Sequence, residues 1–125
     1  MVLGIVLATA ASFLISAGLY SLPPISRLIT RESTPRPGVP ATVQMLSVAL
    51  RSLITAVLVA GLMAVADWHG AGPGALLGLA LTVLPAVLLL GAVVHEGTPV
   101  PVAATHLLDW LLKLVIVGAV VGWFL

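Results

Sequence analysis

The sequence predicts an all-α integral membrane protein, a four-helix up-down bundle that uses residues 1–125 as a single transmembrane domain. Hydrophobic residues make up 61% of the chain and charged residues only 7%. A soluble domain carries about 25% charged residues because its surface faces water. The apolar residues also fall into four runs, each close to the roughly 20 residues needed to cross a bilayer. Polar or Gly/Pro-rich segments separate these runs. Cysteine is absent, which excludes a disulfide framework, a thiol nucleophile and a Cys-based metal site.

The first run, about residues 2–22, lacks a basic leader, and Ile15-Ser16-Ala17 is a poor cleavage site, so it reads as a retained helix. Pro23-Pro24 stops it, since proline supplies no N–H. The segment 23–40 holds Arg27, Arg31, Glu32 and Arg36 and is expected to begin as a short interfacial helix around Ile25–Thr30. Pro35, Pro37, Gly38 and Pro40 then make it irregular. The second span is expected at about 41–66, ending at Asp67-Trp68-His69-Gly70 with Trp68 at the depth of an aromatic belt. Gly72-Pro73-Gly74 reads as a tight turn. The third span follows at about 75–94, with Pro85 kinking it and freeing the carbonyl of Leu81. His95–Pro99 reads as a short loop and about 102–124 as the fourth span.

Short connections make each span antiparallel to the one before it. The first loop carries three arginines, whereas the other loops and the ends carry no Lys or Arg. The positive-inside rule therefore places loop 23–40 in the cytoplasm and the N- and C-termini outside.

Three charges lie inside the spans: Arg51, Asp109 and Lys113. Each costs about 2.5–3.5 kcal/mol at mid-bilayer, so such groups face the bundle interior. Counted from the cytoplasmic side, Arg51 is about 15 Å deep, Asp109 about 10 Å and Lys113 about 16 Å. Asp109 and Lys113 form an i,i+4 pair, and an Arg51–Asp109–Lys113 cluster is expected. Gln44, Ser47, Arg51 and Thr55 share one face of the second span, and His106, Asp109 and Lys113 share one face of the fourth. Thr9, Ser12, Ser16 and Tyr20 make a stripe on the first. Three polar seams are thus expected to bury one another. They read first as interhelical glue, and second as a proton or ion relay or polar pocket.

Gly74 and Gly78 on the third span, and Gly118 and Gly122 on the fourth, form small-xxx-small ridges. One ridge is expected to pack within the bundle and the other to make a dimer contact.

No catalytic grouping emerges. His95, Glu96 and His106 lie near one membrane face as a polar interfacial group, but their spacing fits no metal motif, so neither a metal nor another cofactor is expected. Gly70–Gly74 lacks the P-loop lysine. Ser16, His106 and Asp109 have no nucleophile elbow to support a triad. The basic loop is too small for nucleic acid and suits anionic headgroups.

Three segments resemble a known family. Gly18-Leu19-Tyr20-Ser21-Leu22-Pro23 resembles a Gly-x-x-Trp-Tyr-x-Pro element at the end of a first helix. His95-Glu96-Gly97-Thr98-Pro99 resembles an aromatic-Glu-Gly-x-Pro loop before a last helix. Asp109-Trp110 through Gly118-Ala119-Val120-Val121-Gly122-Trp123 resembles a closing segment with a Gly-Ala pair before a terminal tryptophan. These belong to the bacterial four-helix membrane family known as domain-of-unknown-function family 1761. Leu19 replaces its usual tryptophan, and Ser26-Arg27 stands where Lys-x-Trp is common. The resemblance implies a compact helical protein of the bacterial inner membrane and no established activity.

The functional expectation is a non-enzymatic structural or accessory subunit, forming a homodimer or joining a larger membrane complex in the lipid bilayer. The alternative is a small transporter or channel for protons or small anions, using the Arg51/Asp109/Lys113 cluster. A membrane enzyme using His95, Glu96 and His106 ranks last.

Overall fold

The long apolar runs carry few helix-breaking residues, and they form helices that end where Pro, Gly or a polar cluster interrupts. A computed structural model describes residues 1–33 and 36–125. The elements are α1 (Val2–Ser21), α2 (Pro23–Glu32), α3 (Ala41–Val65), α4 (Ala71–Leu81), α5 (Val83–Glu96) and α6 (Val100–Trp123). With α4 and α5 taken as one broken helix, four helical stretches among the described residues, of 20, 25, 26 and 24 residues, are long and apolar enough to cross a membrane. Their outward faces are lined by Leu, Val and Ile, as lipid contact requires.

α2 starts directly on Pro23-Pro24, at the first helical positions where a missing N–H costs nothing. It is longer than the expected Ile25–Thr30 helix. The irregular stretch expected between it and Pro40 includes Thr34 and Pro35, which lie outside the described residues.

The turn between the second and third spans differs from expectation. It lies at Asp67–Gly70, and Gly72-Pro73-Gly74 forms the first turn of α4. Pro73 is the third residue of that helix, where its N–H would have no partner inside the helix. The chain reverses because Asp67 takes a left-handed φ of 55° and the Trp68 N–H bonds back to the Met63 carbonyl at 2.9 Å, a Schellman-type end to α3. Gly70 follows at φ 97°, ψ 156°, a conformation essentially confined to glycine.

The third span breaks at Thr82, three residues before Pro85. The proline ring displaces the carbonyl of Leu81 and offers no N–H to it. Thr82 bridges the break: its hydroxyl and N–H both reach the Gly78 carbonyl, at 3.0 and 3.2 Å, and its own carbonyl accepts from Ala86 at 3.1 Å. At the other end, α5 runs to Glu96, past the expected start of the loop at His95. Gly97, at φ 69°, ends it, and Thr98 N–H bonds to the Ala92 carbonyl at 3.1 Å.

α6 lies at the centre. It buries Val102, Ala103, Thr105, Asp109, Lys113, Leu114, Val117, Gly118, Val121 and Gly122, while α5 buries no residue completely. α1 and α3 pack on α6 and on each other, and α4 packs on α6 with little contact to α3. The dry core is Ala8, Ala56, Val59, Ala60, Met63, Val117 and Val121.

The two glycine ridges meet each other. A Cβ on Gly74 would collide with the carbonyl oxygen of Gly118, and a Cβ on Gly118 with that of Gly74. Gly78 is likewise set against the Leu114 carbonyl, and Gly122 against that of Gly70, whose N–H bonds to the Gly122 carbonyl at 2.9 Å. The pairs 70/122, 74/118 and 78/114 step by four residues in opposite directions, an antiparallel register set by the short loop before α6. This corrects the expectation that one ridge would serve a dimer. Both are consumed within the chain, because only a glycine face lets two backbones come this close.

Candidate functional site

The polar groups gather at the α1–α6 contact, on the half of the molecule nearer the Arg-bearing loop. Ser16 lies on the side of α1 that also carries Gly4, Ala8 and Ser12, all small and all buried, so the backbones approach closely there. Its hydroxyl donates to Asp109 Oδ1 at 2.9 Å. One helical turn further along α6, Lys113 Nζ donates to Asp109 Oδ2 at 2.9 Å, and it also lies 4.6 Å from the centre of the Trp110 ring. Asp109 and Lys113 are 4% and 5% exposed, so this is a buried ion pair with both carboxylate oxygens engaged. One turn toward the loop, Tyr20 and His106 share a hydrogen bond of 2.6 Å between the phenol oxygen and Nδ1. Their ring planes are inclined at 46°. Towards the other side, Ser12 donates to Ser52 Oγ at 3.2 Å and joins α1 to α3.

The seams of α1 and α6 therefore meet, while α3 brings Arg51 to the edge of the crevice they share without a salt bridge to Asp109. The buried face of α3 is Ser52, Ala56, Val59, Ala60 and Met63, one residue round the helix from Ser47, Arg51 and Thr55. Small side chains admit close backbone approach, and a face containing arginine does not. Arg51 is exposed, and it makes no salt bridge within 4 Å among the described residues. Gln44 is also apart from Asp109: its Nε2 donates to the Val39 carbonyl at 3.3 Å. His95 and Glu96 end α5 in exposed positions, while His106 is engaged by Tyr20. Ser52 was not anticipated. The signal for it is its spacing with Ala56 and Ala60, which marks a close-packing face.

Arg51 instead stands between two crevices. One, of about 480 Å³, is bounded by Ser16, Tyr20, His106, Asp109 and Trp110 together with Arg51. The other, of about 640 Å³, lies between the loop segment and α3. Arg36 and Arg51 both line it. Among the described residues no three His, Asp or Glu side chains converge where a metal could sit.

At the opposite end of the molecule, His69 spans a small latch. Its Nε2 contacts Asp67 Oδ1 at 2.9 Å and its Nδ1 the main-chain oxygen of Leu125 at 3.0 Å. The bond to Asp67, and then that to Leu125, raise the His69 pKa above its usual value, because the imidazolium can donate to both acceptors at once.

The fold and this polar interior define a small α-helical protein suited to membrane insertion, with a buried ion pair beside a cation-lined crevice. The chain belongs to the family described as protein of unknown function (DUF1761), whose model matches residues 3–122. Comparison with curated proteins and with solved structures finds no match.

Proposed function

We propose that this chain is a non-enzymatic, multi-pass protein of the bacterial inner membrane that serves as an accessory or structural subunit. Loop 23–40 would face the cytoplasm and both termini the outside. The observation that carries this reading is the closure of Asp109 by Ser16 and Lys113. The pair lies within α6 at 5% exposure or less, and the Ser16 hydroxyl ties its carboxylate to α1, so Asp109 serves as interhelical glue. Because the glycine ridges are used internally, a second copy or a larger complex would dock on the lipid-facing surface. α5, which buries none of its own residues, would offer such a face. Cross-linking and co-purification from native membranes should return a reproducible partner or a dimer, and Asp109→Asn should lower its yield. A chain that purifies only as a monomer with normal yield in both forms would end this reading.

A second reading, a small transporter or channel for protons or small anions, is favoured by one observation. The 480 Å³ crevice reaches Arg51, His106 and Asp109 from the side. Flux measured in proteoliposomes, lost in Asp109→Asn, would favour it over the accessory role. Absence of flux for protons and small anions would remove it.

A further inference from the structure

Arg51 is a charge about 15 Å into a membrane-spanning helix, with no salt-bridge partner among the described residues. Asp109 is the acidic residue of the neighbouring crevice, and both its oxygens are taken by Ser16 and Lys113. The intramembrane charges are thus Arg51 and Lys113 against Asp109 alone, a residual of one positive charge at a depth where charge is costly. Reaching toward the loop does not relieve it. The crevice on that side is also lined by Arg36, and no Asp or Glu appears among the described residues lining it. Two guanidinium groups bordering one crevice call for an anion between them.

The chemistry of the crevice says which anion. Thr30, Ser33 and Ser47 add hydroxyl-bearing residues to the wall and Gln44 an amide, while Ile29 and three valines make the rest apolar. A volume of about 640 Å³ lies in the roughly 300–1,000 Å³ range of small-molecule sites. Arginine binds phosphate through paired N–H donors and is only weakly hydrated, which suits it to a partly desolvated phosphate. The crevice opens beside α2, whose Arg27 and Arg31 lie at the level of the lipid headgroups if the loop is cytoplasmic.

We propose that the Arg36/Arg51 crevice is a binding site for the phosphate of an anionic phospholipid, which supplies the missing counter-charge to Arg51. The lipid enters from the leaflet facing loop 23–40, with its phosphodiester between the two arginines and its acyl chains along the apolar outer faces of α2 and α3. The inference rests on membrane insertion but not on the accessory role, so the failure of partner capture leaves it standing.

The test uses the full-length protein in mild detergent, titrated with equimolar phosphatidylglycerol and phosphatidylcholine and read by native mass spectrometry, with thermal unfolding followed in parallel. The wild-type chain should retain phosphatidylglycerol about tenfold or more over phosphatidylcholine, as expected for one charge-assisted hydrogen-bonded contact. Arg51→Gln should lose this preference, Arg51→Lys should keep part of it, and Arg27→Gln, outside the crevice, should retain it. Circular dichroism establishes that each variant is folded. Equal retention of the two lipids by the wild type, or an unchanged preference in folded Arg51→Gln, overturns the proposal. If inorganic phosphate alone displaces the lipid and stabilises the protein as well as the lipid does, the site is one for a small anion and the lipid assignment fails.

Discussion

Replacing Gly118 by alanine adds one methyl group where the backbones of α4 and α6 face each other directly. That carbon would meet the backbone carbonyl of Gly74, which no rotamer change can move, so α4 and α6 must separate. Overpacking of this kind costs about 1–3 kcal/mol. The 2.9 Å bond from Gly70 N–H to the Gly122 carbonyl, worth about 0.5–1.5 kcal/mol, is strained as well. The expected loss is about 3 kcal/mol, roughly a hundredfold in the folded-to-unfolded ratio. Gly61→Ala is the matched control. It lies in α3, four residues before its end, with nothing within 4 Å of the added carbon, so it reports only helix propensity, a gain of up to about 1 kcal/mol. Reversible unfolding in mixed micelles titrated with denaturing detergent measures both. Since Gly74 and Gly118 face each other, the double alanine variant should cost less than the sum of the single ones, as the helices need to part only once. If Gly118→Ala and Gly61→Ala agree within about 0.5 kcal/mol, the ridge-on-ridge contact is not what holds α4 to α6.

The buried ion pair gives a second prediction: Asp109→Ala leaves Lys113 charged and unpaired, and should destabilise by about 3–5 kcal/mol, whereas Asp109→Ala with Lys113→Met should recover most of that loss. The same micelle titration checks it as a double-mutant cycle, and simple additivity would refute the pairing. The His69 latch gives a third. Because its pKa is raised in the folded protein, its contribution is complete below the ordinary histidine value of 6.5 and fades as pH rises through the higher folded value. The difference in melting temperature between wild type and His69→Ala should therefore shrink from about pH 6 to about pH 9, and a difference that is constant or grows with pH contradicts the latch.

Composition was enough to read four apolar helical stretches, since nine charged residues cannot cover a water-facing surface. Pro85 marked the broken third span for a reason local to the chain, the lost N–H, although the break itself falls at Thr82. Pro73 misled because proline has two local meanings. It ends a helix from inside but is accommodated in the first turn, and only the Schellman geometry at Asp67 decides between them. The glycine ridges were visible as faces, but a four-residue spacing names no partner. That choice depends on which helices end up adjacent, a tertiary outcome. The site follows the same division. Asp109 and Lys113 are brought together by one turn of helix, whereas the position of Arg51 depends on which side of α3 packs tightest. There the small side chains of Ser52, Ala56 and Ala60 displaced the polar face from the interior.

The central position of α6 sets an order of events during synthesis. α1 and α3 are both made, and can pair through Ser12 and Ser52, before Asp109 is translated, at about 5–20 residues per second. α4 has almost nothing to hold until α6 arrives, since it packs mainly on that helix. α6 then brings a lysine into the membrane with its neutralising carboxylate one turn ahead on the same segment. The segment therefore carries a compensated pair rather than a bare charge. The last of the described helices to be made is the one that locks the others together.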